Sequence, residues 1–475
     1  MMNPTRRDFI KTLGMGASAL GCAGAMGREA VSAAKPNFLF ILADDMGWND
    51  PACYGNEFHE TPNIDQLGRE GMLFTDAYAA CPVCSPTRAS IMAGQYPARV
   101  GVIDFITGHW RPYEKLRVPK NRTQYLPLEV ETIAEALKPA GYTSALFGKW
   151  HLGWGKYTPT NQGFDVQRVT GGPHYKFRTN PKDDLSPELN QAEYLTQECE
   201  QFLEANQNNP FCCFVTHFAV HIPLQADQDL IHKYANKTAP EKGVNHPVYA
   251  AMVEHVDQSV GRLMKKLDEL GLSENTVVVF FSDNGGLRKK FTGEGPVVTT
   301  NAPLRDEKGT LYEGGIREPM IVRWPGKIQA GSVCHTPVTS VDFYPTFLEL
   351  AGAKTPDQPL DGESLAPLLK QTGGLTRDAI YWHYPVYHHS VPAGAIREGE
   401  YKLIEFFDDN HVELYNLVDD IGETNNLAEK RPHVAARLRK KLADWRESVD
   451  ARLPVPNPDF NPARRHEWGR HPDRG

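Results

Sequence analysis

Two short, unbroken apolar runs that each stop on carboxylates constrain this chain more than any other feature. Asn37 to Ala43 (NFLFILA) ends at Asp44-Asp45-Met46-Gly47, and Thr276 to Ser282 (TVVVFFS) ends at Asp283-Asn284-Gly285-Gly286. A strand with one wet face alternates apolar and polar residues, whereas a run without alternation is buried on both faces, as inside a parallel sheet covered by helices. Ser144 to Phe147, Phe211 to Thr216 and Met320 to Arg323 read as further core strands. Helical patterns lie between them, clearest in Met252, Val256, Val260, Leu263, Leu267 and Leu270, which recur at three and four and stop at Gly271. Strands alternating with helices predict an α/β fold with a large, mainly parallel sheet flanked by helices. Ligands gather at the carboxyl ends of such strands, so Asp44, Asp45, Asp283 and Asn284 are expected in one site.

The pattern changes near residue 370. Gly373-Gly374 precedes two strand-like runs, Ala395 to Phe407 and Val412 to Leu417, joined by the polar turn Asp408-Asp409-Asn410-His411. An amphipathic helix follows, about His433 to Val449. The expected organisation is a main domain over 35–370 and a smaller C-terminal α+β subdomain over 371–475. From Leu453 onward the chain is rich in Pro, Arg and His and lacks periodicity, so it is expected to wrap the surface or fray.

Residues 1–34 read differently. Thr5-Arg6-Arg7-Asp8-Phe9-Ile10-Lys11, ahead of the Gly- and Ala-rich segment Thr12 to Met26, looks like a twin-arginine export signal. That predicts a periplasmic or secreted protein, cleaved after Ala23-Gly24-Ala25 or a little later, before Lys35. Ala19-Leu20-Gly21-Cys22 leaves a lipid anchor on Cys22 open. No later apolar run approaches the roughly 20 residues that span a bilayer. The formal net charge is −8 over 475 residues, which argues against a nucleic-acid partner. An anionic small substrate would have to be met by a local cationic pocket. The eight cysteines show no disulfide framework or zinc spacing, and Cys81-Pro82-Val83-Cys84 is a C-x-x-C without a second pair.

Cys84-Ser85-Pro86-Thr87-Arg88, continued by Ala89-Ser90-Ile91-Met92-Ala93-Gly94-Gln95-Tyr96-Pro97, resembles the C-x-P-x-R signature of the formylglycine-dependent sulfatases, in the alkaline-phosphatase-like superfamily. Gly148-Lys149-Trp150-His151-Leu152-Gly153 resembles that family's second signature. The likeness runs from about Asn37 to Leu427. It implies that a formylglycine-generating or anaerobic sulfatase-maturating enzyme oxidises Cys84 to formylglycine, whose hydrate is the nucleophile. It also implies calcium, with magnesium as the alternative, held by Asp44, Asp45, Asp283, Asn284 and an oxygen of residue 84. Three carboxylates and an amide carbonyl are independently an all-oxygen set that suits a hard dication.

The same resemblance gives roles to the cationic residues. Arg88 would hold the diol, Lys149 and His151 would face the pocket, and Lys308 would be a second sulfate-binding lysine. His221, in His217-Phe218-Ala219-Val220-His221-Ile222-Pro223, would touch the sulfate and the leaving oxygen, while His217 packs at a strand end. The implied reaction is in-line attack on sulfur with His221 or Lys308 as general acid. His151 then deprotonates the second hydroxyl and sulfate is expelled as the aldehyde re-forms.

The substrate implied by export and resemblance is a sulfated oligosaccharide or polysaccharide cut at a terminal galactose- or N-acetylgalactosamine-type sugar. Three aromatic and basic clusters either stack on sugars or pack between domains: His109-Trp110-Arg111, His174-Tyr175-Lys176, and His383-Tyr384 with Tyr387-His388-His389. Two rival readings remain. One is a phosphodiesterase or phosphonate monoester hydrolase with the same nucleophile; the other is a non-catalytic glycan-binding relative, which would have lost a metal ligand or the cysteine that this chain keeps.

Overall fold

The strand Asn37–Ala43 runs through the middle of the molecule, and all seven of its residues are buried. Phe38, Phe40 and Leu42 enter one hydrophobic cluster while Leu39, Ile41 and Ala43 enter another, so the strand feeds a core on each face, as its unbroken apolar sequence requires. The computed structural model describes residues 35–108, 110–120, 124–290 and 295–469. The export pattern, Cys22 and His109 lie outside them.

The first strand pairs in parallel with Phe211–Thr216 on one side and Thr276–Ser282 on the other. Outward from Phe211–Thr216 come Thr143–Gly148, Val166–Gly171 and Arg178–Asn180; outward from Thr276–Ser282 come Arg317–Arg323, Met72–Tyr78 and Ser332–Cys334. Val338–Thr339 also pairs with Met72–Tyr78, completing a ten-stranded sheet. Arg317–Arg323 runs antiparallel to both its neighbours. It begins three residues before the expected Met320 because Arg317 and Glu318, though charged, are buried in it.

Helices cover both faces. Cys84–Ala93, Ile133–Leu137 and Phe343–Ala351 lie over Phe38 and Phe40, where Phe347 stacks on Phe38 with centroids 4.3 Å apart. Pro62–Glu70, Gln191–Ala205 and the long helix Pro247–Glu269 cover the other face. Asp257 ties two of these together, accepting hydrogen bonds from the Asn63 and Ile64 backbone N–H groups at 2.9 and 2.8 Å and so satisfying donors that a helix start leaves open.

A smaller antiparallel sheet follows, in the order Ala379–Tyr384, Ala393–Glu398, Tyr401–Phe406, Val412–Asn416. Helix Pro432–Ser448 packs Leu438 and Leu442 against Ile396, Leu403 and Leu414. The run read as one strand from Ala395 to Phe407 is a hairpin. It breaks at Glu398-Gly399-Glu400, where Gly399 takes φ 58°, a left-handed turn that glycine adopts without steric penalty. The first strand of this sheet carries His383 and Tyr384; its sequence AIYWHY is aromatic and β-branched, which suits a pleated surface.

The two sheets share a buried ionic junction. Lys402, fully buried, donates to Glu313 at 2.8 Å and Glu423 at 2.9 Å. Beyond the last helix the chain laces back over the segment around residues 110–117. Val455–Pro456 pairs with Leu116–Arg117, the Asn457 side chain donates to the Pro112 and Glu114 carbonyls at 2.9 and 2.7 Å, and the Gly469 N–H donates to Trp110 at 2.9 Å. Among the described residues no helix is long and apolar enough to cross a membrane.

Candidate active site

At the carboxyl ends of the two central strands the buried backbone turns, and four polar side chains are left where the apolar runs stop. Asp44, Asp45, Asp283 and Asn284 are each at most 1% exposed. They are cross-linked: the Asn284 amide donates to Asp45 Oδ1 at 2.7 Å, and the Asp45 N–H to Asp283 Oδ1 at 3.3 Å. The tight approach needs glycine at Gly285, where a Cβ would lie 1.9 Å from the Gly314 carbonyl oxygen.

Cys84 opens the helix Cys84–Ala93 on the same side of the sheet, after Val83 in extended conformation. Its sulfur and one carboxylate oxygen each from Asp44 and Asp283 lie within 4.8 Å of one another. One turn further along the helix, Arg88 faces the same acids. Its Nε donates to Asp283 Oδ2 at 2.8 Å, Nη2 lies 2.8 Å from the same oxygen, and Nη1 donates to the Lys149 carbonyl at 2.7 Å.

Gly148 ends its strand at φ 119°, with no room for a Cβ against the Thr216 carbonyl, and so swings Lys149 and His151 toward the site. Lys149 Nζ donates to Asp44 Oδ2 at 2.5 Å under the Phe218 ring. Lys308 Nζ donates to both oxygens of Asp45, at 2.7 and 2.8 Å. His151 Nε2 faces the Ile106 carbonyl at 2.5 Å and Nδ1 faces Cys84 Sγ at 3.2 Å. A carbonyl only accepts, so Nε2 carries the proton and the Nδ1 lone pair is turned to residue 84. His221 is set the other way round: Nδ1 donates to the Ile222 carbonyl at 2.6 Å and Nε2 lies 3.7 Å from Asp45.

The electrostatics follow from burial. Burial works to raise the Asp44 carboxyl, but Lys149, His221, Arg88 and Lys308 outweigh it and hold the group well below the usual carboxylate range. Asp283 goes the opposite way: burial and the neighbouring Asp44 charge push it far up against Arg88 and Lys149. Burial brings His151 down to about 3, with Lys149 adding to the effect. It brings His221 down to about 4 against the pull of Asp45. Both imidazoles are therefore neutral at pH 7.

Asp44 Oδ1 and Asn284 Oδ1 are buried with no hydrogen-bond partner among the described residues. Acceptors in that state are costly unless something supplies positive charge. Two orphaned oxygens, the buried Asp283 carboxyl pushed up beside Asp44 and residue 84 close by fit a hard, oxygen-seeking dication.

Cys84, Lys149, His151, His221 and Lys308 line a cavity of about 440 Å³. Its walls include Phe105, Ile106, Phe218, Leu287, His388 and His389. The sequence clusters divide accordingly. His388 and His389 reach the cavity. His174 is buried and faces the His221 carbonyl at 2.8 Å, and His383 and Tyr384 are buried in a strand. Arg111 stacks on Trp468, 4.1 Å from the ring centre, so that cluster packs against the tail. His217 is a buried strand-end histidine. Phe105, Ile106 and Leu287 carried no sequence signal, because wall residues from irregular loops follow no period.

An α/β sheet whose strand ends gather carboxylates, flanked by lysines and neutral histidines around one buried cysteine, has the layout of a hydrolase for anionic esters. Comparison with known proteins specifies it further. Residues 36–353 match the sulfatase family model, and residues 306–448 match the C-terminal model of N-sulphoglucosamine sulphohydrolase. A protein named sulfatase from Formosa agariphila is 33% identical over 86% of this chain and 88% of its own. Human arylsulfatase A is 34% identical over 88% of this chain and 89% of its own. The crystal structure of Ps i-CgsB superposes with a TM-score of 0.76 at 29% identity, covering 90% of this chain and 94% of that one. The chain belongs to the sulfatase family, the sulfuric ester hydrolases.

Proposed function

We propose that this sulfatase removes sulfate from a terminal sugar of a sulfated carbohydrate, using Cys84 converted to formylglycine as nucleophile and calcium as its metal. The observation that carries this reading is the pairing of Cys84 Sγ with the unprotonated Nδ1 of His151 at 3.2 Å, on the floor of a cavity ringed by Lys149, Lys308 and His221. Asp44, Asp45, Asp283 and Asn284 would hold the metal. When bound, a hard dication there makes a nearby hydroxyl more acidic and neutralises part of the sulfate charge.

The chain's own groups supply the rest. Hydration of the aldehyde at residue 84 gives two hydroxyls, one to attack sulfur and one to collapse afterwards. His151 Nδ1 accepts the proton released in the collapse, and the Ile106 carbonyl keeps the ring from turning away. Lys149 and Lys308 each spend one side of the ammonium on an aspartate and keep donors for sulfate oxygens. His221 Nε2 bears no proton in the neutral ring, so Lys308 is the donor that protonates the departing alcohol. Arg88, locked between Asp283 and the Lys149 carbonyl, positions the acids around residue 84.

A carbohydrate substrate is supported by two relatives: Ps i-CgsB has a crystal structure in complex with k-i-k-neocarrahexaose, and a canine relative, 34% identical, is an N-acetylgalactosamine-6-sulfatase. The twin-arginine pattern supports a periplasmic or secreted enzyme, and the motif Cys84 to Arg88 supports a maturating enzyme as partner.

The test is mass spectrometry of the peptide containing residue 84, from protein made with a formylglycine-generating enzyme, beside turnover of aryl sulfates and aryl phosphates. Expected are the aldehyde mass and preferential sulfate hydrolysis, with Cys84→Ser limited to one stalled turnover. Sustained turnover by Cys84→Ser, or faster phosphate hydrolysis, would overturn the proposal.

A further inference from the structure

The cavity above the nucleophile does not end at its own wall. Ile222, Leu287 and Lys290 also line a second cavity of about 250 Å³. Its remaining lining includes Leu224, Arg288 and Lys289. The three consecutive cations Arg288, Lys289 and Lys290 follow one residue, Leu287, after the segment Asp283-Asn284-Gly285-Gly286.

They are held in place by the backbone. Glu307 Oε2 accepts the N–H groups of Arg288 and Lys289 at 2.6 and 2.9 Å, and the Lys289 carbonyl faces His389 Nε2 at 3.1 Å. Glu307 immediately precedes Lys308, so this strip is fixed in register with the reacting centre. Among the described residues Lys289 and Lys290 pair with no carboxylate, and Arg288 Nε is buried without a partner. Lys149 and Lys308 are already paired with Asp44 and Asp45, so in a chain of net charge −8 the exposed Lys289 and Lys290 are the cations at this second cavity still open to an anionic ligand.

We infer that the second cavity is a subsite for the sugar next to the sulfated one, and that Arg288, Lys289 and Lys290 select a neighbour bearing its own anionic group. Leu224 and Leu287 offer apolar surface to the C–H face of a sugar ring, while the cations hang over its edge. Recognition is of a carboxylate or a second sulfate, since both are compact oxyanions that ammonium and guanidinium groups bind. The preferred substrate is thus an oligosaccharide with anionic groups on adjacent residues. This rests on the proposed reading of the first cavity as the sulfated sugar's site.

The test compares kcat/KM on three oligosaccharides with the same sulfated terminal sugar, whose neighbour is a uronic acid, a second sulfated sugar or a neutral sugar. An aryl sulfate, too small to leave the first cavity, is the reference. The wild type should prefer the anionic neighbours over the neutral one by about tenfold or more, the equivalent of one well-placed charge contact. Lys289→Gln should lower that ratio and Lys289→Glu should abolish it, with aryl sulfate turnover falling by no more than about threefold from the altered field. A preference confined to the carboxylate or to the second sulfate assigns the source.

Equal kcat/KM on all three substrates, or a ratio untouched by Lys289→Glu, overturns the inference. Calorimetric binding of the desulfated, uronate-bearing product to wild type and to Lys289→Glu reads the subsite without turnover. A protein that fails to hydrolyse sulfate esters would sink the proposed function while this comparison still decides the subsite: weaker binding by Lys289→Glu supports it, equal binding removes it.

Discussion

Calcium removal is the perturbation whose size can be worked from the site. Metal-free, Asp44 Oδ1 and Asn284 Oδ1 have no partner among the described residues, and burial beside the Asp44 charge pushes the Asp283 carboxyl up, toward its protonated form. A dication held there would compete with protons for Asp283 and satisfy the orphaned oxygens; because those groups are dispersed once the chain unfolds, it would bind the native state alone. At free calcium one hundred times Kd the linkage contributes about 2.7 kcal/mol. For the unit Lys35–Gly475, an unfolding entropy of roughly 2 cal/mol/K per residue amounts to about 0.9 kcal/mol/K, and the melting temperature should rise by about 3 °C. The assay is scanning calorimetry at one scan rate, in chelator and then in saturating calcium. The Asp283→Asn variant, which keeps an oxygen toward Arg88 but loses the charge, should not respond. Proton uptake competes with the metal, so the rise should shrink from pH 7 to pH 5. A wild-type melting temperature that is the same in chelator and calcium, or an equal response from Asp283→Asn, refutes the assignment of these oxygens to a metal.

Two further outcomes concern stability. Lys402→Met leaves the fully buried Glu423 without its cation, while Glu313 keeps Arg317 and Tyr78, and should cost about 3–5 kcal/mol in urea unfolding; a loss under about 1 kcal/mol would mean that the junction is wetter than its burial implies. His383 donates to the Arg452 carbonyl at 2.8 Å and is brought down to about 4, mainly by burial. Its folded value lies below the unfolded value of about 6.5. As pH falls from 6.5 toward 4 the unfolded chain takes up a proton that the folded chain refuses, so stability falls by up to about 3 kcal/mol. His383→Gln should flatten the melting temperature over that window relative to wild type, and an unchanged slope would rule out this histidine as a source of acid sensitivity.

What could be read from the sequence was what buried, unbroken strands make visible. Asn37–Ala43, Phe211–Thr216 and Thr276–Ser282 match their runs residue for residue, because a strand covered on both faces has no polar position to blur its ends. The acids after the first and last of these were legible for the same reason: they stand where burial of the backbone ends. Met72–Tyr78 was not, since Thr75 and Asp76 interrupt its apolar pattern and Asp76 is explained only by Arg317 and Arg397, distant in sequence. Ala379–Tyr384 was not legible as a strand either, because its aromatic residues also suit a sugar-binding surface. The cavity walls at Phe105, Ile106 and Leu287 come from irregular segments, whose positions are set by hydrogen bonds such as the one from His151 to Ile106 rather than by periodicity.

The tail that laces over residues 110–117 gives this architecture an order in time. Ile106, the backstop of His151, lies just upstream of a stretch whose sheet partner is Val455–Pro456 and whose Trp110 carbonyl is taken by Gly469. A ribosome releases those residues long after Asp44, Cys84, Ile106 and Lys149 have emerged. The wall behind the base is therefore laid well after the base itself, and the nucleophile's neighbourhood stays unfinished until that later stretch arrives.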